Sequence, residues 1–184
     1  MTSIDGLRDE HRRIEAMLTV LDGVTTLVDQ GGSAPAYLDD LLDFFSLFAD
    51  KRHHMKEEER LFPVLAGHGF SPDSGVVNAL KHQHELGRTH VGDMRAHLAA
   101  FCGGDARAAR AFADSARAYT EMLRVHIQME DHDLFPQAAD VLTAEEERTL
   151  NDTFAQLDAT KAAFEEATRW ERLAQQVHAP IAIR

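Results

Sequence analysis

Histidine organises this sequence. The chain has 184 residues and 11 histidines, and imidazole is both the commonest metal ligand and the side chain whose charge changes near neutral pH. Two histidines open a His-x-x-x-Glu pattern, His53 with Glu57 and His126 with Glu130. On a helix this spacing puts both side chains one turn apart on the same face. The two copies belong to a longer repeat. A shift of 73 residues lays His11 on His84, Gly31 on Gly104, His53 on His126 and Glu57 on Glu130. The same shift lays Leu7 on Leu80 and Leu61-Phe62-Pro63 on Leu134-Phe135-Pro136, without a gap. Two copies describe a duplicated hairpin, since a solenoid needs three or more units.

The repeat also sets heights. The midpoint of His11 and His53 is residue 32, in the Gly31-Gly32 turn, and that of His84 and His126 is residue 105, beside Gly103-Gly104. In an antiparallel hairpin, residues equidistant from the turn lie level. Four imidazoles and two carboxylates can therefore share one layer. Buried together, they would be costly without a partner. Two divalent metals supply it, each taking two histidines, with Glu57 and Glu130 able to bridge. Six side chains leave open positions for water, hydroxide, O2, NO or peroxide. Imidazole and carboxylate without thiolate suit iron or manganese, and zinc fits as well.

Other residues compete for that layer. His54 and Glu58 form an out-of-phase copy of the pair, but the shift lays them on Ile127 and Asp131, so His54 is expected on the surface or behind the ligands. Glu15 follows His11 by four residues but falls on Arg88, which favours a structural role. His82 and His90 flank His84, neither four residues from it. Tyr119 precedes His126 by seven residues, hence shares nearly its face, and is expected in the core. His68, His97, His132 and His178 read as surface or loop residues. The Leu-Phe-Pro triplets read as helix terminators packing the bundle end.

The elements that must position these residues are helical. Five segments carry apolar residues at helix period and none alternates like a strand. They run over about 4–29, 36–65, 74–101, 105–135 and 143–176, the last opened by a Thr143/Glu146 capping box. The pattern predicts an all-α fold: an up-down-up-down four-helix bundle of two similar hairpins, with a C-terminal fifth helix. We divide it into a bundle over 1–140 and a helical extension of the same domain over 141–184. Lys plus Arg number 19 against 31 Asp plus Glu, a net charge of -12. That balance argues against a grip on nucleic acid and against docking on anionic membranes. Charges interrupt the N-terminal segment from Asp5, and no apolar run approaches a membrane span of about 18 residues. A lone cysteine, Cys102, allows no internal disulfide. A cytoplasmic protein is expected.

The segments DEHRRIE, HHMKEEERLFP, HQHELGR and HIQMEDHDLFP resemble the hemerythrin-like (HHE cation-binding) domain family over about residues 5–140. The resemblance implies a four-helix bundle holding two non-haem irons bridged by an oxo or hydroxo group and two carboxylates. It assigns His11, His53, Glu57, His84, His126 and Glu130 as ligands. Oxygen carriers of this kind have a fifth histidine one turn from the third-helix ligand. Here those positions are Leu80 and Arg88, so the set resembles bacterial members tied to nitric oxide, peroxide or iron stress. The implied ligand is a diatomic or a peroxide. The implied activity is catalase- or peroxidase-like turnover or NO scavenging. The alternative is a sensor or iron store without turnover, signalling through the C-terminal helix, where Phe154, Leu157, Phe164 and Trp170 could form an intrachain core or a homodimer interface.

Overall fold

A computed structural model describes residues 2–177, the side chains of 161–167 excepted. Helix α1, Ser3–Asp29, starts where the Thr2 hydroxyl accepts from the Asp5 amide and the Asp5 carboxylate accepts from the Thr2 amide, a capping box that satisfies two otherwise free donors. It ends at Gly31, whose φ of 74° suits a residue without Cβ. Helix α2 spans 38–67, α3 Gly75–Cys102 and α4 106–141. The α3–α4 turn repeats the α1–α2 turn: Gly104, the shifted mate of Gly31, has φ 88°. Helix α4 is opened by Asp105, whose carboxylate accepts from the amides of Arg107 and Ala108. Among the described residues the regular structure is helical throughout.

Helices α2 and α4 pass through their prolines instead of ending there. Pro63 and Pro136 sit in the first turn of an α-helical stretch that runs on to Gly67 and Val141. A proline lacks the N–H that an α-helix requires and crowds the preceding turn. Each is preceded by a five-residue π-helical turn, Glu57–Leu61 and Glu130–Leu134, again 73 residues apart. The triplets are thus internal to their helices, although they do pack the bundle end as expected. Helix α2 has a further π-helical stretch over Phe44–His54.

The C-terminal segment is two helices, α5 over Ala144–Asp158 and α6 over Lys161–Gln176, where one had been expected. The break lets the two serve different apolar clusters. One cluster, built on Leu18, Leu42, Phe45, Phe112 and Leu123, fills the turn-proximal part of the bundle and takes Trp170 and Leu173 from α6. The other joins Leu7, Leu80 and both Leu-Phe pairs, and takes Leu150 and Phe154 from α5. Phe154 and Trp170 therefore belong to the intrachain core. Phe164 and His178 lie outside the residues or side chains described.

Candidate metal centre

Between the two apolar clusters each of the first four helices contributes polar side chains to one buried layer. His11 lies between Leu7 and Ile14 on α1, and His84 between Leu80 and Val91 on α3. His53 and Glu57 come from α2, and His126 and Glu130 from α4. All six are at most 1% exposed. The structure brings together every residue the repeat singled out, and it brings their donor atoms inward.

The repeat is visible in the site geometry. The rings of His11 and His53 have centroids 4.7 Å apart at 64°, and those of His84 and His126 repeat both values. His11 stacks on Phe135, and His84 on Phe62, its shifted mate. Behind the rings, the outer nitrogens are all occupied. His11 Nδ1 donates to Asp131 at 2.9 Å and His84 Nδ1 to Glu58 at 2.6 Å. His53 Nδ1 donates to Glu10 at 2.9 Å and His126 Nδ1 to the Gln83 carbonyl oxygen at 3.1 Å. Asp131 and Gln83 are the shifted mates of Glu58 and Glu10. Such outer partners fix the tautomer and leave the Nε2 lone pair facing the layer.

His54 is the correction. It had been expected on the surface or behind the ligands, yet it is 4% exposed and faces the same layer. Its ring stacks on His84 at 3.8 Å and meets His126 edge-on at 5.4 Å. In an α-helix, neighbours His53 and His54 would diverge by about 100° around the axis. A π-helical turn, wider than an α turn, ends at His54, and both side chains are buried. Such insertions recur at functional sites. A signal was available in the repeat: the mate of His54 is Ile127, which is 2% exposed and thus a core position. The site has a fifth histidine after all, carried by α2 and not by α3. The roles of Glu10, Glu58, Gln83 and Asp131 rest on contacts across helices, which spacing along the chain does not record.

The remaining candidates stay outside. Glu15 and His82 are exposed and His90 is half-buried. None of them joins a group of converging donors. Tyr119 is buried and lines a cavity that His54 and His84 also line. His68, half-buried, pairs with Glu146 at 3.0 Å.

The converging donors fall into two groups, each with its ligand atoms within 4.8 Å of one another. One is His11, His53, Glu57 and Glu130; the other is His54, His84, His126 and Glu57. Glu57 belongs to both. Among the described residues, every buried side-chain nitrogen or oxygen without a hydrogen-bond partner belongs to these groups, Trp170 Nε1 apart. Orphaned donors and acceptors cost about 1–3 kcal/mol each, so their concentration at one point is the signature of a cation-binding site. Burial drives His53 down to about 4 and His54 well below the ordinary range, so both present the neutral imidazole a metal takes. Burial and the charge of Glu130 push Glu57 well above the carboxylate range. Burial opposes ionisation of Glu130 too, but His126 and His11 outweigh it and hold that carboxyl low. Cations between the two carboxylates would relieve their repulsion.

A helical bundle whose core holds such a cluster defines a metal-binding helical protein. The chain matches the hemerythrin HHE cation binding domain over residues 2–138, and it belongs to that family. It is 30% identical over 156 residues to "Uncharacterized protein Rv1995" of Mycobacterium tuberculosis and, to the same extent, to "Uncharacterized protein Mb2018" of Mycobacterium bovis. The match covers 84% of this chain and 60% of each relative. No solved structure matches. Among the described residues no helix is long and apolar enough to cross a membrane.

Proposed function

We propose that this chain is a non-haem di-iron protein that binds or reacts with a small oxidant, H2O2, O2 or NO, in oxidative or nitrosative stress or in iron homeostasis. The carrying observation is the pair of converging donor groups that share Glu57 and contain nearly all the unpartnered buried polar atoms. One position would be held by His11 and His53, the other by His54, His84 and His126. Glu57 and Glu130 would bridge them from the middle of an up-down-up-down bundle. Donor chemistry without thiolate supports iron, with manganese or zinc as competitors. When bound, iron supplies one-electron redox chemistry and an open position for a small ligand. The protein's share is orientation: Asp131, Glu10, Glu58 and Gln83 hold each Nδ1–H outward so that Nε2 stays available. The apolar clusters above and below exclude bulk water.

The test is metal analysis of the purified chain, with absorption spectra before and after H2O2, O2 or NO. Two irons per chain, an oxo-bridge charge-transfer band and reactant loss faster than with free iron are expected. Substoichiometric metal after reconstitution with iron would refute the metal centre. A loaded centre that consumes neither H2O2 nor NO would refute turnover and leave the sensor.

A specific contact favours that second reading, in which the chain reports metal state without turnover. Behind His53, Glu10 accepts from the Lys56 ammonium at 2.6 Å, and Lys56 donates onward to Asp158 at 2.9 Å. Lys56 is 2% exposed, and Asp158 is the last residue of α5. A charged chain thus runs from a candidate ligand to the C-terminal extension. The sensor reading expects the protease sensitivity of 144–176, or the oligomeric state, to change on oxidation. Identical digestion and identical size in both states would overturn it.

A further inference from the structure

A cavity of about 200 Å³ lies between α2, α3 and α4, on the flank of the candidate metal centre. Its volume is several times the roughly 30 Å³ that a water molecule occupies in the liquid, so a diatomic would leave most of it empty. His54 and His84 belong to its lining. Phe45 and Val91 give it apolar wall, Gly87 and Gly92 leave room, and Ser46, Asp50 and Lys51 line it as well. Glycine creates part of the space. A Cβ at Gly87 would make ordinary contact with Met122 and Tyr119, and one at Gly92 would meet nothing within 4 Å.

One polar group inside the walls has no work to do in the fold. Tyr119 is 2% exposed overall and its ring packs edge-on against Phe45 at 5.0 Å, but its hydroxyl is not among the fully buried unpartnered atoms and bonds no other described residue, so it opens toward the space that Tyr119 lines. A buried phenol usually finds a partner. Burial pushes its ionisation up, so it offers a neutral O–H donor. Of the cations that line it, Arg88 and Arg95 are paired and Lys51 is exposed to solvent. Arg88 is held by Asp50 at 2.9 Å and Glu58 at 2.6 Å, and Arg95 by Asp43 and Ser46.

We propose that this cavity binds a small uncharged organic molecule that has an apolar body and one hydrogen-bond-accepting oxygen, with the Tyr119 hydroxyl as the donor to that oxygen. An alcohol and an alkyl hydroperoxide share this shape. The apolar wall of Phe45 and Val91 and the volume favour an apolar body larger than a diatomic. The neutral Tyr119 O–H selects an acceptor. Arg88, Arg95 and Asp50 are already paired, and an ion pair at the exposed Lys51 is worth little, so a charged ligand gains little over a neutral one. This site goes beyond the metal centre: it shares His54 and His84 as a wall and needs no metal for its own contacts.

The test titrates tert-butanol into the full chain loaded with redox-silent zinc and, in parallel, into the chain as purified, followed by NMR of the Val91 methyls and the Tyr119 ring. Pivalate and tert-butylammonium serve as charged probes of similar shape. Saturable shifts confined to cavity residues are expected with tert-butanol and not with the charged probes. Tyr119→Phe should weaken binding about fivefold, the order of one neutral hydrogen bond. Gly92→Leu, which faces open space, should weaken it at least as much without unfolding the chain. Tighter binding of pivalate, non-saturating shifts, or a Gly92→Leu variant that binds as well as the parent would each overturn the proposal. Tert-butyl hydroperoxide on the zinc-loaded chain then separates the two oxygen sources: binding tighter than the alcohol assigns the hydroperoxide, and weaker binding assigns the alcohol. Failure of zinc to bind would count against the metal centre alone, since the cavity is read separately in the untreated chain.

Discussion

Replacing His54 by isoleucine, the residue type at its repeat mate Ile127, should act with opposite signs on the metal-free and metal-loaded protein. His54 is buried with neither ring nitrogen hydrogen-bonded, Nδ1 lying 3.5 Å from the Asp50 carboxylate. An unsatisfied buried polar group costs about 1–3 kcal/mol, and isoleucine removes that cost at a position where the sister hairpin already accommodates it. The metal-free variant should therefore be more stable, by about 2–4 °C in Tm for each kcal/mol in a chain of this size. If His54 is a ligand, its loss should weaken the second metal position by roughly 100-fold, which is about 2.7 kcal/mol of metal-linked stabilisation. The decisive quantity is the rise in Tm on adding zinc, compared between variant and parent and read beside zinc stoichiometry. The expected result is a higher starting Tm, a smaller rise, and one tightly bound zinc in place of two. An unchanged rise with two zincs bound would show that His54 does not ligate. A lower Tm in the metal-free state would show that its imidazole is satisfied in a way the orphaned nitrogens contradict.

Lys56→Met should destabilise the chain by about 3–5 kcal/mol, because it strands the buried Glu10 carboxylate. The double variant Glu10→Gln/Lys56→Met copies the Gln83–Met129 pair of the sister hairpin, whose side chains lie 3.7 Å apart, and should recover most of that loss in urea midpoint. A double variant as unstable as the single one would refute the electrostatic cause. Trp170→Ala should cost about 3–5 kcal/mol as a large buried aromatic. Trp170, the one tryptophan and 1% exposed, should emit as a buried indole that shifts to the red on unfolding; red emission from the native chain would refute its burial against Phe44. Glu146 is held down to about 2 by the Thr143 amide and hydroxyl and by His68. Its contribution is therefore complete above the unfolded carboxyl value and is lost as pH falls through about 2. The Tm advantage of the parent over Glu146→Gln should be constant near neutral pH and shrink below about pH 4; an advantage that grows on acidification would refute the assignment.

Much of the site was legible because the repeat preserves residues where helix period alone would not choose. His11, His53, Glu57, His84, His126 and Glu130 each find a mate at a single fixed shift, and the layer they form follows from their distance to the glycine turns. His54 was not legible by the same logic. Its mate is apolar, and it stands one residue out of phase on an ideal helix. Only its contacts with His84 and His126 across the helices show that it faces the layer. Glu10 and Gln83 look like ordinary surface polar residues until the neighbouring helix brings His53 and His126 against them. The C-terminal segment reads as one amphipathic helix over 143–176, because periodicity reports a face and not a bend. The break after Asp158 appears only when Phe154 and Trp170 are seen to fill different clusters.

The sequence by itself determined the helical class, the duplicated hairpin and the six-residue core of the site. These depend on spacing along the chain, and hydrophobic periodicity and internal repetition record spacing directly. The tertiary structure decided which neighbours close the site: the fifth histidine, the outer partners that hold each imidazole, the Glu10–Lys56–Asp158 chain and the cavity under Tyr119. Those depend on contacts between residues far apart in sequence. A one-dimensional pattern carries the period of a helix but not the contacts its faces make, and here those contacts bring a fifth histidine, His54, into the cluster of converging donors.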